Sequence, residues 1–179
     1  MIRLFVAVDF PADVRERLAG LGGGVPGARW TEAENLHLTL RFIGEVPEDQ
    51  VAEIDAALAE IRAPGFDLTL DGVGVFGSNR NARILWAGVE RSEGLTHLQA
   101  KVESAVVRCD LPAEERRFSP HVTLARLRDA PKERVGRFLE ERGLFRAGPM
   151  RIGHFTLYRS LLGKSGPVYQ PVAEYPLEG

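Results

Sequence analysis

Two segments constrain the fold of this chain more than any other feature: "HLTLRFIGEVPEDQ", which starts at His37, and "HVTLARLRDAPKER", which starts at His121. Each begins with H-x-T-L in a run of strand-favouring residues, and each reaches a proline and then a charged helical pattern within a few residues. A strand leading into a Pro-initiated helix is thus used twice. Such a repeat predicts two similar lobes set face to face. A third match, "HFTLYRS" from His154, means that the pattern alone does not say which two histidines act together.

The rest of the chain fits an alternation of strands and helices. Short β-branched or aromatic runs bounded by Gly and Pro predict strands over 2–9, 36–43, 66–76, 82–90, 119–126, 149–158 and 167–173. Helical periods open at Pro11 (Val14, Leu18, Leu21), at Pro47 (Val51, Ile54, Leu58, Ile61), after Ser92 (Leu95, Leu98, Val102, Val106) and at Pro131 (Val135, Phe138, Leu139). Glu48 and Asp49 favour the start of the second, and Gly143 ends the fourth. "GLGGGVPGAR", 20–29, lacks the G-x-x-x-x-G-K-[ST] order of a phosphate loop and is expected to be a flexible connection to Trp30. Residues 1–179 are expected to form one domain.

Composition narrows the setting. The N-terminal apolar run is interrupted by Asp9 and Pro11 and reads as a core strand, so no membrane segment is expected. One cysteine, Cys109, cannot form an internal disulfide; it is expected to pack inertly in a monomeric, cytoplasmic protein. A net charge of −2 lacks the broad basic footprint of a protein that holds long nucleic acid. A phosphate partner is therefore expected to be gripped locally. Arg116-Arg117 and Arg126/Arg128 flank the second histidine motif, where planar guanidinium groups suit phosphate.

On a strand, alternation turns His37, Thr39 and Arg41 one way and Leu38, Leu40 and Phe42 the other. Phe42 is accordingly expected in the core, not as a platform for an unpaired base. His121 and Thr123 likewise share a face, so two strands across a cleft would offer two imidazoles and two hydroxyls to one small anion. This set suits phosphodiester cleavage without a metal. A neutral imidazole takes a proton from the attacking oxygen, a protonated one gives a proton to the leaving oxygen, and hydroxyls and Arg hold the phosphate. No H-x-x-x-H, H-E-x-x-H or C-x-x-C spacing supports a metal site, and neither metal nor cofactor is expected.

In order along the chain, "RLFVAVDFP", "WTEAENLHLTLRFIGEV", "FSPHVTLAR" and "LYRSLLGKSGPVYQPV" resemble the landmarks of the RNA 2',3'-cyclic phosphodiesterases, also called 2'-5' RNA ligases, of the 2H phosphoesterase superfamily. The resemblance implies an α+β fold of two pseudo-symmetric lobes, each an antiparallel sheet with flanking helices, around a central cleft. It implies His37 as proton donor, His121 as proton acceptor, and Thr39, Thr123 and Arg126 as substrate-binding residues. Strict alternation sets Arg126 opposite His121, so a bulge or an early strand end is needed to turn it inward. His154 falls where the family requires no histidine and is expected to be a strand residue; His97 lies within the third helix. Residues 77–83, "GSNRNAR", are expected to border the cleft. The implied partners are RNA ends bearing a 2',3'-cyclic phosphate, tRNA fragments among them. Two alternatives stand beside this: the same chemistry on a nucleotide or ADP-ribose derivative, and an RNA-end-binding module without turnover. Pure binding would more naturally use Arg or Lys than two titratable imidazoles.

Overall fold

A computed structural model describes residues 1–78 and 80–179. Among the described residues, nine strands and four α-helices follow one another in the order β1 (Ile2–Val8), α1 (Ala12–Ala19), β2 (Ala28–Trp30), β3 (Leu38–Val46), α2 (Glu48–Ala59), β4 (Phe66–Ser78), β5 (Asn81–Val89), α3 (Glu93–Val107), β6 (His121–Leu127), α4 (Lys132–Arg142), β7 (Arg146–Ile152), β8 (His154–Gly163) and β9 (Gly166–Pro176). Pro11, Pro47 and Pro131 immediately precede α1, α2 and α4, where the missing N–H costs no helical hydrogen bond. Ser92 caps α3 by accepting from the Leu95 N–H at 3.1 Å.

The strands order as β7-β4-β5-β6-β3-β1-β8-β9, with β2 on β6, and every pairing between them is antiparallel. The order divides into two four-stranded halves, β7-β4-β5-β6 and β3-β1-β8-β9. They meet where Leu38 of β3 pairs with Val122 of β6. The fold is therefore α+β and bilobal, with α2 and α3 packed together and α3 reaching both β3 and β4. Neither half is a continuous piece of chain. The segment from β3 through α2 crosses to β4, and β8 and β9 return to sit beside β1.

The core is aliphatic: Leu4, Val6 and Val8 of β1, Leu38 of β3, Leu85 of β5, Leu98 and Val102 of α3 and Leu157 of β8 are fully buried. Each buried side chain of this size contributes about 1.5–3 kcal/mol. No helix among the described residues is long and apolar enough to cross a membrane.

Two sequence expectations are corrected. The run 149–158 is two strands, for β7 ends at Ile152 on the β4 half and β8 begins at His154 on the β1 half, with Gly153 alone between them. One glycine carries the crossing, so no longer turn signal marks it. The stretch 20–29 is not all connection: Ala28 and Arg29 already belong to β2, opposite Leu127 and Arg126. Gly27 enters that strand at φ +83°, and a Cβ there would lie 2.3 Å from the Arg128 carbonyl oxygen, so the close approach requires glycine.

Candidate active site

The Leu38–Val122 pair places four polar side chains. Antiparallel register carried one residue to either side of this pair puts His37, which directly precedes β3, on the side of Thr123, and Thr39 on the side of His121, all on the opposite surface of the sheet. The two histidines are then diagonal neighbours about a pseudo-twofold axis. In a regular ladder such positions lie about 7–8 Å apart.

The continuation of each motif is also repeated, and alternation alone does not give it. Between the pairs Val6–Arg41 and Ala7–Thr39, β3 carries one extra residue, Leu40. Between Leu85–Ala125 and Trp86–Thr123, β6 carries one extra residue, Leu124. Each bulge turns two consecutive side chains toward the core and returns the next to the histidine face. Leu40 and Arg41 are buried, as are Leu124 and Ala125, while Phe42 and Arg126 are exposed.

Two expectations about β3 are overturned by that bulge. Arg41 does not share the His37 face; at 7% exposure it donates from Nε to Glu103 Oε1 at 2.9 Å and also binds the carbonyls of Phe42 and Pro112. Phe42 is not in the core but 55% exposed, its ring 6.0 Å from Phe5, which stacks on His37 at 4.9 Å. The same device turns Arg126 to the His121 face. At the opposite edge of β6, the Thr31 N–H and hydroxyl donate to the carbonyls of Leu124 and Thr123 at 2.9 and 3.1 Å, backing the bulge.

Both imidazoles are held by the same local device. His37 Nδ1 donates to the Asn35 carbonyl at 2.6 Å and His121 Nδ1 to the Ser119 carbonyl at 2.8 Å, each two residues upstream. This fixes the tautomer of each neutral ring and leaves Nε2 as the acceptor. At His37 that lone pair accepts from the Thr39 hydroxyl at 2.8 Å. Burial pushes the His37 imidazole below its ordinary value of 6.5; the Asn35 carbonyl and the Asp9 carboxylate oppose that, and His121 adds to it.

An aromatic wall lines the β1 half. Phe5 is flanked by His37, by Tyr158 stacked at 5.2 Å and by the edge of Tyr169 at 4.9 Å, and Tyr169 meets His37 edge-on at 5.4 Å. Burial raises the Tyr169 phenol, and the Arg126 guanidinium acts against that from the other half. Facing this wall, Phe76 packs edge-on to His121 at 4.8 Å. Phe5, Tyr169 and Phe76 are absent from the residues expected by sequence, because they reach the site through strand pairing and carry no local signal.

The other expected residues lie apart from this centre or at its margin. His154 lies with Asp9 at 3.7 Å and Glu174 at 3.8 Å, and Asp9 accepts from Tyr158 at 2.5 Å and Thr156 at 3.2 Å. His97 is exposed on α3. Cys109 is buried, its thiol raised by burial. Of 77–83, Asn79 lies outside the described residues, Arg80 is exposed, and Asn81 and Arg83 line a groove with Arg126. Among the described residues, no three of His, Cys, Asp and Glu are gathered as metal ligands.

The family model of LigT-like phosphoesterases matches residues 8–86 and 88–169, and so spans both halves and both histidine motifs. The chain belongs to the LigT-like phosphoesterases. Among its relatives, the RNA 2',3'-cyclic phosphodiesterase of Archaeoglobus fulgidus is 33% identical over 94% of this chain and 97% of its own length. That of Aeropyrum pernix is 37% identical over 84% and 86%. The crystal structure of E. coli LigT complexed with 3'-AMP superposes with a TM-score of 0.79 at 32% identity, covering 99% of each chain. The bilobal LigT-like fold thus agrees with the resemblance read from the motifs.

Proposed function

We propose that this LigT-like phosphoesterase hydrolyses the 2',3'-cyclic phosphate at RNA or nucleotide 3' ends to a 2'-phosphomonoester, without a metal. The observation that carries this reading is the Leu38–Val122 pair, which sets two His–Thr pairs on one face in pseudo-twofold relation. Relatives over nearly the whole chain bear the name RNA 2',3'-cyclic phosphodiesterase.

In this mechanism His121 Nε2 takes a proton from water as the water oxygen bonds to phosphorus. His37 Nε2 gives a proton to O3' as the P–O3' bond breaks. His37 must therefore arrive protonated. Burial disfavours that state in the free protein, but an anionic cyclic phosphate beside the ring restores it, in the direction in which Asp9 already acts. Thr39 and Thr123 donate to the non-bridging oxygens, and Arg126 adds a charge-assisted bond as negative charge develops. Phe5 and Tyr169 fix the His37 ring, and Phe42 offers an exposed face to the terminal base.

In the same direction, with a 5'-hydroxyl RNA end in place of water, His121 would take the proton of the 5'-hydroxyl as its oxygen bonds to phosphorus, His37 would protonate the departing O3', and the ends would be joined through a 2'-5' linkage. The partners on this reading are RNA ends, tRNA fragments among them, met by a monomer in the cytoplasm. The product isomer tests the assignment. A 2'-phosphate is expected, whereas a 3'-phosphate would mean that O2' leaves and that the acid stands on the wrong side.

A further inference from the structure

Beyond the histidine cleft, β6 runs on into an open groove whose lining includes Asn81, Arg83, Arg126, Arg128 and Asp129. Three guanidinium groups face one carboxylate there, in a chain whose net charge is −2. Arg83 and Arg128 are exposed, and neither side chain has an ion-pair or hydrogen-bond partner among the described residues. Only the backbone of Arg128 is engaged, its N–H donating to the Gly27 carbonyl at 3.0 Å. The fold does not use these two cations to hold itself together.

The groove is continuous with the site. The bulge at Leu124 turns Arg126 to the face of His121 and Thr123, and Arg126 is at once the last residue of the cleft and a wall of the groove. Arg126 is five positions beyond His121 and Arg128, just past the end of β6, is seven, so the latter lies up to roughly 23 Å away at about 3.3 Å per residue. A phosphate reacting between the histidines is out of reach of Arg128. A ligand that engages both must be extended and must carry further anionic charge.

We infer that Arg83 and Arg128 bind backbone phosphodiesters of the RNA strand on the 5' side of the nucleotide whose cyclic phosphate lies between His37 and His121. This rests on the cyclic phosphodiesterase reading, and chemistry fixes the direction. A 2',3'-cyclic phosphate occupies the 3' terminus, so the strand can leave only toward its 5' side. Planar guanidinium groups suit such phosphates, and two or three of them form a local grip where the whole surface offers no broad basic footprint. The chain is then an enzyme for oligonucleotide ends in preference to free cyclic nucleotides.

The test compares kcat/KM for a hexaribonucleotide ending in a 2',3'-cyclic phosphate with that for a 2',3'-cyclic mononucleotide. The wild type should prefer the hexamer. The Arg83→Gln/Arg128→Gln double variant should lose about tenfold on the hexamer, the scale of one or two charge-assisted bonds at an exposed site, and keep its rate on the mononucleotide. Equal effects on both substrates, or none on either, overturn the inference. Turnover of neither substrate by the wild type would sink the hydrolase reading, and a binding arm judges the groove separately. Fluorescence anisotropy of a 3'-phosphorylated hexamer should show weaker binding by the double variant. Its dependence of log affinity on log salt should be shallower by about 1.4, roughly 0.7 for each lost contact on a single strand. An unchanged affinity and slope overturn the groove.

Discussion

Leu38 and Val122 pair across the seam between the two halves, and each directly succeeds the histidine of its motif. The pair is fully buried and aliphatic, yet its antiparallel register brings the two His–Thr pairs to one face, His37 on the side of Thr123 and Thr39 on the side of His121. Shortening Leu38 to Ala should cost about 2–5 kcal/mol of stability from the cavity alone. It should also loosen the seam. In urea melts the midpoint should fall, and under native conditions turnover should fall as well; a variant as stable and active as the wild type would separate the seam from the site.

Arg41 gives a second stability prediction. It is buried against Glu103, which also accepts from the Glu114 N–H at 3.1 Å, and so joins β3 to α3 and to the loop before the second motif. Arg41→Ala strands Glu103 and should cost about 3 kcal/mol. Arg41→Lys should recover only part of this, since one ammonium cannot replace bonds to Glu103, Phe42 and Pro112 together. Denaturant midpoints of the two variants decide it.

Phe42 is predicted to behave in the opposite way. Being exposed, it can be replaced by Ala with a stability change within about 0.5 kcal/mol. If a base stacks on it, kcat/KM for a cyclic nucleotide should fall roughly tenfold, within the 1–3 kcal/mol that such stacking supplies. An unchanged kcat/KM removes Phe42 from the binding face.

These residues also show how far the sequence can be read. Periodicity, prolines and Ser92 disclose the four helices, and short apolar runs disclose most strands, because each signal is local. The facing of Arg41, Phe42 and Arg126 is not legible in the same way. It depends on one extra residue in each strand relative to its partner, and a bulge is a property of two strands that neither sequence marks. Phe5 and Tyr169 reach His37 from β1 and β9 for a similar reason. Trp30 reads only as the end of a loop, since a three-residue strand is too short to show alternation.

The His37 ring makes stability depend on pH. Its imidazole is held below 6.5 in the fold, so the unfolded chain binds the proton more readily. That contribution is present in full above 6.5 and is lost as pH falls from there through the folded value. Tm should therefore drop more steeply on acidification in the wild type than in His37→Gln. Parallel curves for the two proteins would show that burial does not penalise this charge.

Asp9 opposes the lowering of His37 and is anchored by Tyr158 and Thr156. Asp9→Asn keeps the shape and removes the charge, so the His37 proton should be lost at lower pH. For hydrolysis, the alkaline limb of the bell-shaped rate profile should move acidward, read as a property of the two-histidine system. A limb that stays in place, or moves upward, contradicts the role of His37 as the acid.

The central claim is that His37 and His121 share the proton transfers and that His154 takes no part. The most direct measurement is the hydrolysis rate of an RNA ending in a 2',3'-cyclic phosphate, in EDTA, for the wild type and for His37→Ala, His121→Ala and His154→Ala. The wild type should remain active, the first two variants should each lose about 10²–10⁴-fold, and the third should stay within a few-fold of the wild type. A wild type silenced by EDTA, or a folded His154→Ala that is inactive while His121→Ala still turns over, would contradict the account.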